Sequence, residues 1–353
     1  MKPTQKLHAL GQSLWLDNIT REMLDDGTLK RYIDEFSVTG LTSNPTIFQK
    51  ALAGGAAYDA EIAAAGTDID TEALFIRLAL ADLTRAADLF RPVHETSGRM
   101  DGWVSMEVSP LLVDDVTGTV EAARQIHRQA ARNNLFVKIP GTAAGVKAIE
   151  ESIFAGVPVN VTLLFSASQY EAVANAWMRG IERRLQNDLD PVVHSAASLF
   201  VSRWDAAVND QVPAALRNRL GIAVAGQTWA AYRRLVASDR YQKLLKAGAP
   251  LQRLLWASTG TKDPNASDVL YIEALAAPDS INTIPDKTLE AFADHGRVQQ
   301  HLTDDGGDSA RVLAEFEQAG VDVAALAGKL QRDGAAAFVH SWQQLMAEIS
   351  RKR

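Results

Sequence analysis

Residues 135–165 read LFVKIPGTAAGVKAIEESIFAGVPVNVTLLF, and this stretch decides the fold. Residues 135–140 are a short apolar run, residues 141–156 have helical composition and end at Gly156, and residues 157–165 are a second apolar run. Runs of this length between turn residues favour buried strands, and parallel strands need a helical crossover between them. The stretch therefore predicts a strand–helix–strand unit.

The same alternation continues on both sides of this unit. Six further apolar runs predict strands, at residues 13–17, 38–44, 103–109, 197–202, 253–258 and 280–285. Stretches of helical composition lie between the runs, at residues 71–90, 119–134, 166–186 and 228–248. Alternating strands and helices indicate an α/β protein, and eight parallel strands are the number that closes a barrel. We therefore expect a single (β/α)8 TIM barrel with additional C-terminal helices.

The chain of 353 residues extends well beyond the last predicted strand. The residues after about 290 are rich in Ala, Glu, Gln and Leu, which favours helices, with a loop at 304–308. No linker, repeat or low-complexity segment indicates a second domain. We predict one domain over 1–353, with the barrel at about 10–290 and a C-terminal helical extension at about 290–353.

Composition excludes several classes of chemistry and partner. The absence of cysteine excludes disulfides, thiolate nucleophiles and cysteine-based metal sites, and the seven histidines, His301 among them, lack the paired spacing of metal ligands. A formal net charge of −7 disfavours nucleic acid and anionic membranes. No run approaches the roughly 20 apolar residues of a membrane span, and the N-terminus lacks a secretory pattern. We expect a cytoplasmic protein without metal or cofactor whose partners are small molecules.

Lys138 is the most unusual residue of the predicted strands, because its neighbours Val137 and Ile139 belong in a core. Burial disfavours the charged ammonium form, and a neutral amine can attack a carbonyl group. Alternatively, the side chain reaches solvent at the end of its strand or pairs with a buried acid. Its position alone leaves the catalytic and structural interpretations about equally supported.

Two acidic residues lie late in other predicted strands, Asp17 in the first and Glu107 in the third. Reactive groups of α/β barrels gather at the C-terminal ends of the strands, so both carboxyls are expected near Lys138. They could share the proton transfers that covalent chemistry at an amine requires. The alternative is that they only neutralise a buried lysine.

Other polar residues at the strand ends could bind a substrate. Four of them could hold sugar hydroxyls, although each one alone is more often a capping residue: Asn44, Asn160, Thr162 and Ser198. Arg203 follows the sixth strand and Lys262 the seventh, where barrels often bind phosphate. Each could equally be an exposed loop cation.

Four motifs together resemble the transaldolase family, and the similarity runs from Ser13 into the C-terminal tail. The motifs are GLTSNPTIF at 40–48, VKIPGT at 137–142, VNVTLLF at 159–165 and SLFVSR at 198–203. The segment WASTGTK at 256–262 resembles a longer branch of the family that includes fusions with glucose-6-phosphate isomerase. In this segment, Lys262 stands near the position where many relatives carry a second arginine. Lysine supplies a point charge and not a planar fork, so the phosphate-binding role of Lys262 is the weakest of these assignments.

The resemblance implies transfer of a dihydroxyacetone unit through a lysine Schiff base in the non-oxidative pentose phosphate pathway. The donor would be sedoheptulose 7-phosphate or fructose 6-phosphate, and the acceptor glyceraldehyde 3-phosphate or erythrose 4-phosphate. Lys138 would be the nucleophile, Glu107 and Thr162 would hold and activate the catalytic water, and Asp17 would move protons at a sugar hydroxyl. The residues implied in substrate binding are Asn44, Asn160, Ser198, Phe200, Arg203, Ser258 and Lys262.

Two alternative functions remain at this stage. One is a lyase similar to fructose 6-phosphate aldolase, which releases the three-carbon unit instead of transferring it. The other is a barrel that binds sugar phosphates without catalysis. The resemblance to transaldolases implies sugar phosphates as the small-molecule partners and a monomer or homodimer as the assembly.

Overall fold

The computed structural model describes residues 1–66, 68–299 and 302–353. Eight parallel strands form a closed barrel in sequential order, which confirms the predicted α/β barrel. The strands are β1 (Ser13–Leu16), β2 (Val38–Thr42), β3 (Val104–Glu107), β4 (Leu135–Pro140), β5 (Val159–Leu164), β6 (Ser195–Phe200), β7 (Arg253–Ala257) and β8 (Ile281–Ile284).

The predicted strands are all present, with ends that differ by one or two residues in most cases. The run 197–202 was placed too late, because β6 begins at Ser195 and a helix already begins at Ser202. Asp17 and Asn44 lie just beyond their strands, in the loops that follow β1 and β2. The polar residues that end the apolar runs therefore lie at the rim of the barrel.

Within the described residues the helices lie between and after the strands. They are α1 (Pro3–Leu10), α2 (Arg21–Asp25), α3 (Thr28–Phe36), α4 (Pro45–Gly54), α5 (Asp59–Ala64), α6 (Thr71–Thr96), α7 (Val116–Ala130), α8 (Ala143–Phe154), α9 (Ala167–Gln186), α10 (Ser202–Val208), α11 (Leu220–Val236), α12 (Asp239–Lys246), α13 (Leu270–Ala274), α14 (Asp286–His295), α15 (Ser309–Gln318) and α16 (Val323–Lys352). None of these helices is long and apolar enough to cross a membrane.

The prediction of one helix over 228–248 is wrong, because α11 and α12 are separate helices. The side chain of Ser238 accepts a hydrogen bond from the backbone of Tyr241 and so caps a new helix. Such a cap satisfies backbone N–H groups that would otherwise lack partners, and it favours a break at this point. The predicted helix 119–134 begins earlier, at Val116, where Asp115 is the capping residue.

The two faces of the barrel strands differ in chemistry. In β4, Val137 and Ile139 face outward into the core between barrel and helices, while Phe136 packs in the barrel interior with Trp103. Because successive side chains of a strand point to opposite faces, Lys138 and Pro140 share the inward face with Phe136. An aromatic layer therefore closes the lower interior, and the polar side chains lie above it.

The long C-terminal helix α16 lies across the rim of the barrel. Near its N-terminal end, Gln331 donates hydrogen bonds to the carbonyl oxygens of Gly141 and Leu163, both at 3.0 Å. Further along, the hydroxyls of Ser341 and Thr46 are 2.8 Å apart. The helix thus contacts the first turn of α4, the loop after β4 and the end of β5.

The segment between α14 and α16 contains the predicted loop at 304–308, which is a turn before α15. His301, counted above among the histidines, lies outside the described residues. The division into a barrel at about 10–290 and an extension at about 290–353 stays a prediction.

Candidate active site

A small cavity of about 110 Å³ opens at the C-terminal ends of the strands. All of the predicted site residues except Glu107 and Asn160 line it: Asp17, Asn44, Lys138, Thr162, Ser198, Phe200, Arg203, Ser258 and Lys262. Residues far apart in the chain meet here because parallel strands place their carboxyl ends on one rim. The structure therefore brings the predicted set together.

Lys138 lies at the floor of this cavity, beside Glu107. The two residues are register partners on β4 and β3, so their side chains leave the sheet on the same face. The Nζ atom of Lys138 is 3.4 Å from Oε2 of Glu107 and donates a hydrogen bond to the carbonyl oxygen of Ser43 at 3.0 Å. With side chains only 6% and 3% exposed, this is a buried amine–carboxylate pair.

Glu107 is the less well satisfied partner of this pair. Burial raises the pKa of its carboxyl above the ordinary value, and the nearby charge of Lys138 opposes the rise. Neither carboxyl oxygen accepts a hydrogen bond from any described residue. A buried carboxyl with free lone pairs and a raised pKa can hold a water molecule and exchange protons with it.

Thr162 and Asp17 lie around the amine on other strands. Thr162 pairs in register with Pro140, and its buried hydroxyl has no partner among the described residues. Asp17 accepts a hydrogen bond from the hydroxyl of Thr42 at 2.8 Å, and that hydroxyl is 2.6 Å from the hydroxyl of Thr283. The Thr162 hydroxyl is therefore available to a ligand, whereas one oxygen of Asp17 is already held in place.

Asn160 lies beneath the cavity instead of lining it. Its side chain is fully buried, donates to the hydroxyl of Ser105 at 3.1 Å and accepts from the hydroxyl of Ser198 at 2.7 Å. Ser198 lines the cavity directly. In this structure Asn160 reaches the cavity only through Ser198.

Asn44 combines the capping role with a place at the cavity. Its side-chain oxygen accepts a hydrogen bond from the backbone N–H of Ile47 at 3.1 Å and caps α4. The amide nitrogen remains free to donate, because the cap uses only the oxygen. Asn44 can therefore hold a substrate hydroxyl while it caps the helix.

The cationic end of the cavity is formed by Arg203 and Lys262. The guanidinium of Arg203 lies 4.9 Å from the ring centroid of Phe200, and burial lowers its pKa while the charges of Glu107 and Asp17 oppose the shift. An arginine stays charged even so. Lys262 is exposed at the rim, so the expectation of a loop cation describes its position correctly, yet it also lines the cavity.

Ser258 lines the same cavity as these cations and has an unusual backbone conformation. Its φ of 56° falls in the left-handed region, and its hydroxyl is 2.9 Å from that of Ser202 at the start of α10. A non-glycine residue in this region costs energy and is often found at functional sites. Ser258 lines the cavity in this conformation.

Sequence reasoning missed several residues that line the cavity, among them Thr42, Thr283 and Phe338. Thr42 is the last residue of β2 and Thr283 the last but one of β8, both on inward positions, so the alternation of strand faces could have identified them. Phe338 belongs to α16, where an aromatic residue in a long amphipathic helix is usually a core residue. Nothing in the local sequence distinguishes it.

No metal site is formed by the part of the chain that the structure describes. No group of three or more His, Asp or Glu side chains within residues 1–66, 68–299 and 302–353 is arranged to hold an ion.

Comparison with known proteins gives one consistent family. The family described as "Transaldolase/Fructose-6-phosphate aldolase" matches residues 14–349. The chain is 42% identical to "Transaldolase" of Thiobacillus denitrificans, over 99% of this chain and 100% of the relative. It is 40% identical to "Transaldolase" of Renibacterium salmoninarum, over 98% and 95%, and 38% identical to "Transaldolase 2" of Nostoc punctiforme, over 97% and 95%.

Proposed function

This chain belongs to the transaldolase/fructose-6-phosphate aldolase family and is a transferase with transaldolase function, and from this premise we propose that Lys138 forms the Schiff base. The donor is sedoheptulose 7-phosphate or fructose 6-phosphate. The acceptor is glyceraldehyde 3-phosphate or erythrose 4-phosphate. The observation that carries the proposal is the buried Lys138 amine, held between Glu107 and the carbonyl of Ser43 at the floor of the cavity.

The first half of the reaction forms the Schiff base and cleaves the donor. The neutral amine of Lys138 attacks C2 of the ketose phosphate, and the carbinolamine loses its hydroxyl as water, with Glu107 and Thr162 supplying and removing the proton. Asp17 takes the proton from the C4 hydroxyl, the C3–C4 bond breaks, and the aldose phosphate leaves. The bonding electrons remain on the lysine-bound three-carbon unit as an enamine.

The second half returns the three-carbon unit to an acceptor. The enamine carbon attacks the aldehyde of the incoming aldose phosphate, and Asp17 returns a proton to the new alkoxide. Water held by Glu107 and Thr162 then adds to the Schiff base and releases the product ketose. The Thr162 hydroxyl and the carboxyl oxygens of Glu107 have no hydrogen-bond partner among the described residues, and this supports the assignment, since each can bind a water molecule.

Phosphate recognition is assigned to the cationic end of the cavity. Arg203 offers several N–H donors in a plane, which suits a phosphate, and Lys262 adds a point charge at the rim. Ser198 and Ser258, with Phe200 beside Arg203, complete this part of the site. Asn44 binds a hydroxyl of the three-carbon unit, and Asn160 acts there through Ser198.

The test of the Schiff base is reduction with borohydride in the presence of fructose 6-phosphate. We expect a stable adduct on Lys138, detected by peptide mass spectrometry, and no adduct in Lys138→Ala. An adduct that persists in Lys138→Ala, or none in the native protein, contradicts the proposal. Absence of the adduct together with tight substrate binding would support the non-catalytic barrel instead.

Transfer and simple cleavage differ in the fate of the enamine. A coupled assay for glyceraldehyde 3-phosphate from fructose 6-phosphate should depend on added erythrose 4-phosphate. A rate that is equally high without an acceptor would favour the aldolase reaction.

We also propose that the enzyme works in the cytoplasm as a monomer or homodimer, without nucleic acid or a membrane. Sugar phosphates as substrates and the net charge of −7 support this proposal. Light scattering on the purified chain measures the assembly, and a larger oligomer would contradict it.

A further inference from the structure

The helix α16 contributes a side chain to the cavity, although it follows the last barrel strand by nearly forty residues of chain. Phe338 is 5% exposed and lines the cavity with Arg203. The centroid of its ring is 5.9 Å from the guanidinium carbon of Arg203, on which Phe200 also packs, at 4.9 Å. One guanidinium therefore contacts two aromatic rings, one from the barrel and one from the C-terminal helix.

Arg203 is held in this position without a direct acidic partner. Within the described residues its charge is influenced by Glu107 and Asp17 only at a distance, and its guanidinium donates no hydrogen bond to either carboxyl. An aromatic face attracts a guanidinium without occupying its N–H groups. A carboxylate in the same place would compete with a phosphate for those donors.

The backbone of α16 comes unusually close to this cluster at Gly334. A Cβ atom there would lie 2.9 Å from Nη1 of Arg203 and 2.9 Å from Cδ2 of Leu163. Gln331, one turn earlier, donates to the carbonyl oxygens of Leu163 and Gly141. A glycine and an anchoring amide thus let the helix approach closely enough for Phe338 to reach Arg203.

We propose that Phe338 is a positioning residue for substrate phosphate: it acts through Arg203, whose guanidinium it holds with its N–H groups free to face the phosphate. The proposal rests on the phosphate-binding role of Arg203 given above. Phe338 takes no part in the steps at Lys138. Its loss should therefore weaken phosphate recognition more than it slows the chemistry.

The decisive variant is Phe338→Leu, which keeps a buried apolar side chain and removes the aromatic face. We expect KM for fructose 6-phosphate and the inhibition constant of inorganic phosphate to rise about three- to tenfold, in line with the usual strength of a cation–π contact. We expect kcat to change by less than about twofold, since the reacting atoms are untouched. Phe338→Tyr keeps the ring and should restore most of the lost affinity. Should the leucine variant unfold, Phe338→Met tests the same contact.

A matched pair on the same helix separates the contact from general damage to α16. Gly334→Ala places a methyl group against Arg203 and should raise KM and the phosphate inhibition constant. Gly328 lies about two turns earlier on α16, and the nearest atom to a new Cβ there is Nη1 of Arg332 at 3.4 Å. Gly328→Ala should therefore leave KM and the phosphate inhibition constant unchanged. Equal effects of the two variants would overturn the proposal.

Arg203→Gln distinguishes failure of this proposal from failure of the proposed function. If Arg203→Gln leaves KM and phosphate inhibition unchanged, the phosphate role of Arg203 is wrong, and the role of Phe338 is wrong with it. If Arg203→Gln raises both constants while Phe338→Leu does not, only the role of Phe338 is overturned. The proposal expects both single variants to raise them, and Phe338→Leu to add little in the Arg203→Gln background.

Discussion

At the scale of single residues, the reacting groups are buried polar atoms that other residues leave unsatisfied. The hydroxyl of Thr162 and both carboxyl oxygens of Glu107 lack hydrogen-bond partners among the described residues, whereas neighbouring Asn160 is fully paired. Buried polar groups are normally paired, because desolvation without a partner is unfavourable. Thr162 lines the cavity and Glu107 lies beside the cavity residue Lys138, so these groups without a partner are candidates to bind water and substrate.

The prediction at Thr162 is that removal of its hydroxyl lowers catalytic activity without lowering the stability of the fold. In Thr162→Val we expect kcat to fall at least tenfold because the water loses a ligand. The free energy of unfolding should stay within about 1 kcal/mol of the native value or rise, since the removed hydroxyl has no protein partner. Steady-state kinetics and urea unfolding measure the two effects, and a loss of stability without loss of kcat would contradict the role.

The prediction at Glu107 concerns pH. Because burial raises its pKa, the carboxylate gains a proton at a higher pH than an ordinary glutamate as the pH falls. Once Glu107 is protonated it can no longer act as a base. As the pH falls, kcat should therefore begin to decrease at a pH above the usual glutamate range. Glu107→Gln should lower kcat by about 10²- to 10⁴-fold and remove this acid limb. An acid limb that is unchanged in the variant would assign it to another group.

At the scale of elements, close packing of helices against the strand ends holds the active-site residues in place relative to one another. The clearest case is Gly145 in the first turn of α8, where a Cβ atom would overlap the carbonyl oxygen of Pro140. Thr142 caps the same helix through a bond from the Gly145 backbone. Since Pro140 is two residues from Lys138 and pairs with Thr162, α8 holds the end of β4 directly.

The prediction for this contact is that Gly145→Ala destabilises the protein and slows catalysis. Overpacking of this kind costs about 1–3 kcal/mol, and displacement of Pro140 should also move Thr162 relative to Lys138. Gly54→Ala is the control, because that glycine ends α4 with no atom within 4 Å of a new Cβ. In urea unfolding and in kcat, Gly145→Ala should fall below the native protein, whereas Gly54→Ala should not. Equal stability of the two variants would contradict the argument.

At the scale of the whole molecule, a buried acid joins helices on the outside of the barrel. Asp205 of α10 accepts hydrogen bonds from the backbone of Leu220 and Gly221 at the start of α11 and from the hydroxyl of Tyr271 in α13. Burial raises its pKa from 3.8 to about 6, although these hydrogen bonds oppose the shift. The folded protein therefore holds a proton at Asp205 over a range where the unfolded chain has lost it.

This linkage predicts how stability depends on pH. The contribution of Asp205 is fully present below about pH 4 and is lost as the pH rises through about 6. The loss is on the order of 3 kcal/mol by pH 7. The free energy of unfolding of the native protein, relative to that of Asp205→Asn, should therefore decrease between pH 4.5 and pH 7, as measured by urea titrations at the two pH values. A difference independent of pH would contradict the assignment.

The sequence by itself determined the barrel and most of the site. Short apolar runs alternate with helical stretches, and both patterns arise from local periodicity, which needs no knowledge of distant contacts. Lys138, Glu107 and Asp17 could be identified because polar residues late in apolar strands must lie at the rim of a barrel. The break between α11 and α12 depends on the single cap at Ser238, which apolar spacing does not reveal.

Only the tertiary structure decided which side chains face the substrate. It placed Asn160 beneath Ser198, paired Thr42 with Asp17, and brought Phe338 from the C-terminal helix to Arg203. Phe338 and Arg203 are separated by more than a hundred residues, and their contact follows from how α16 packs across the closed barrel. Local periodicity carries no information about such long-range packing, because the same apolar face would bury Phe338 equally well elsewhere on the core.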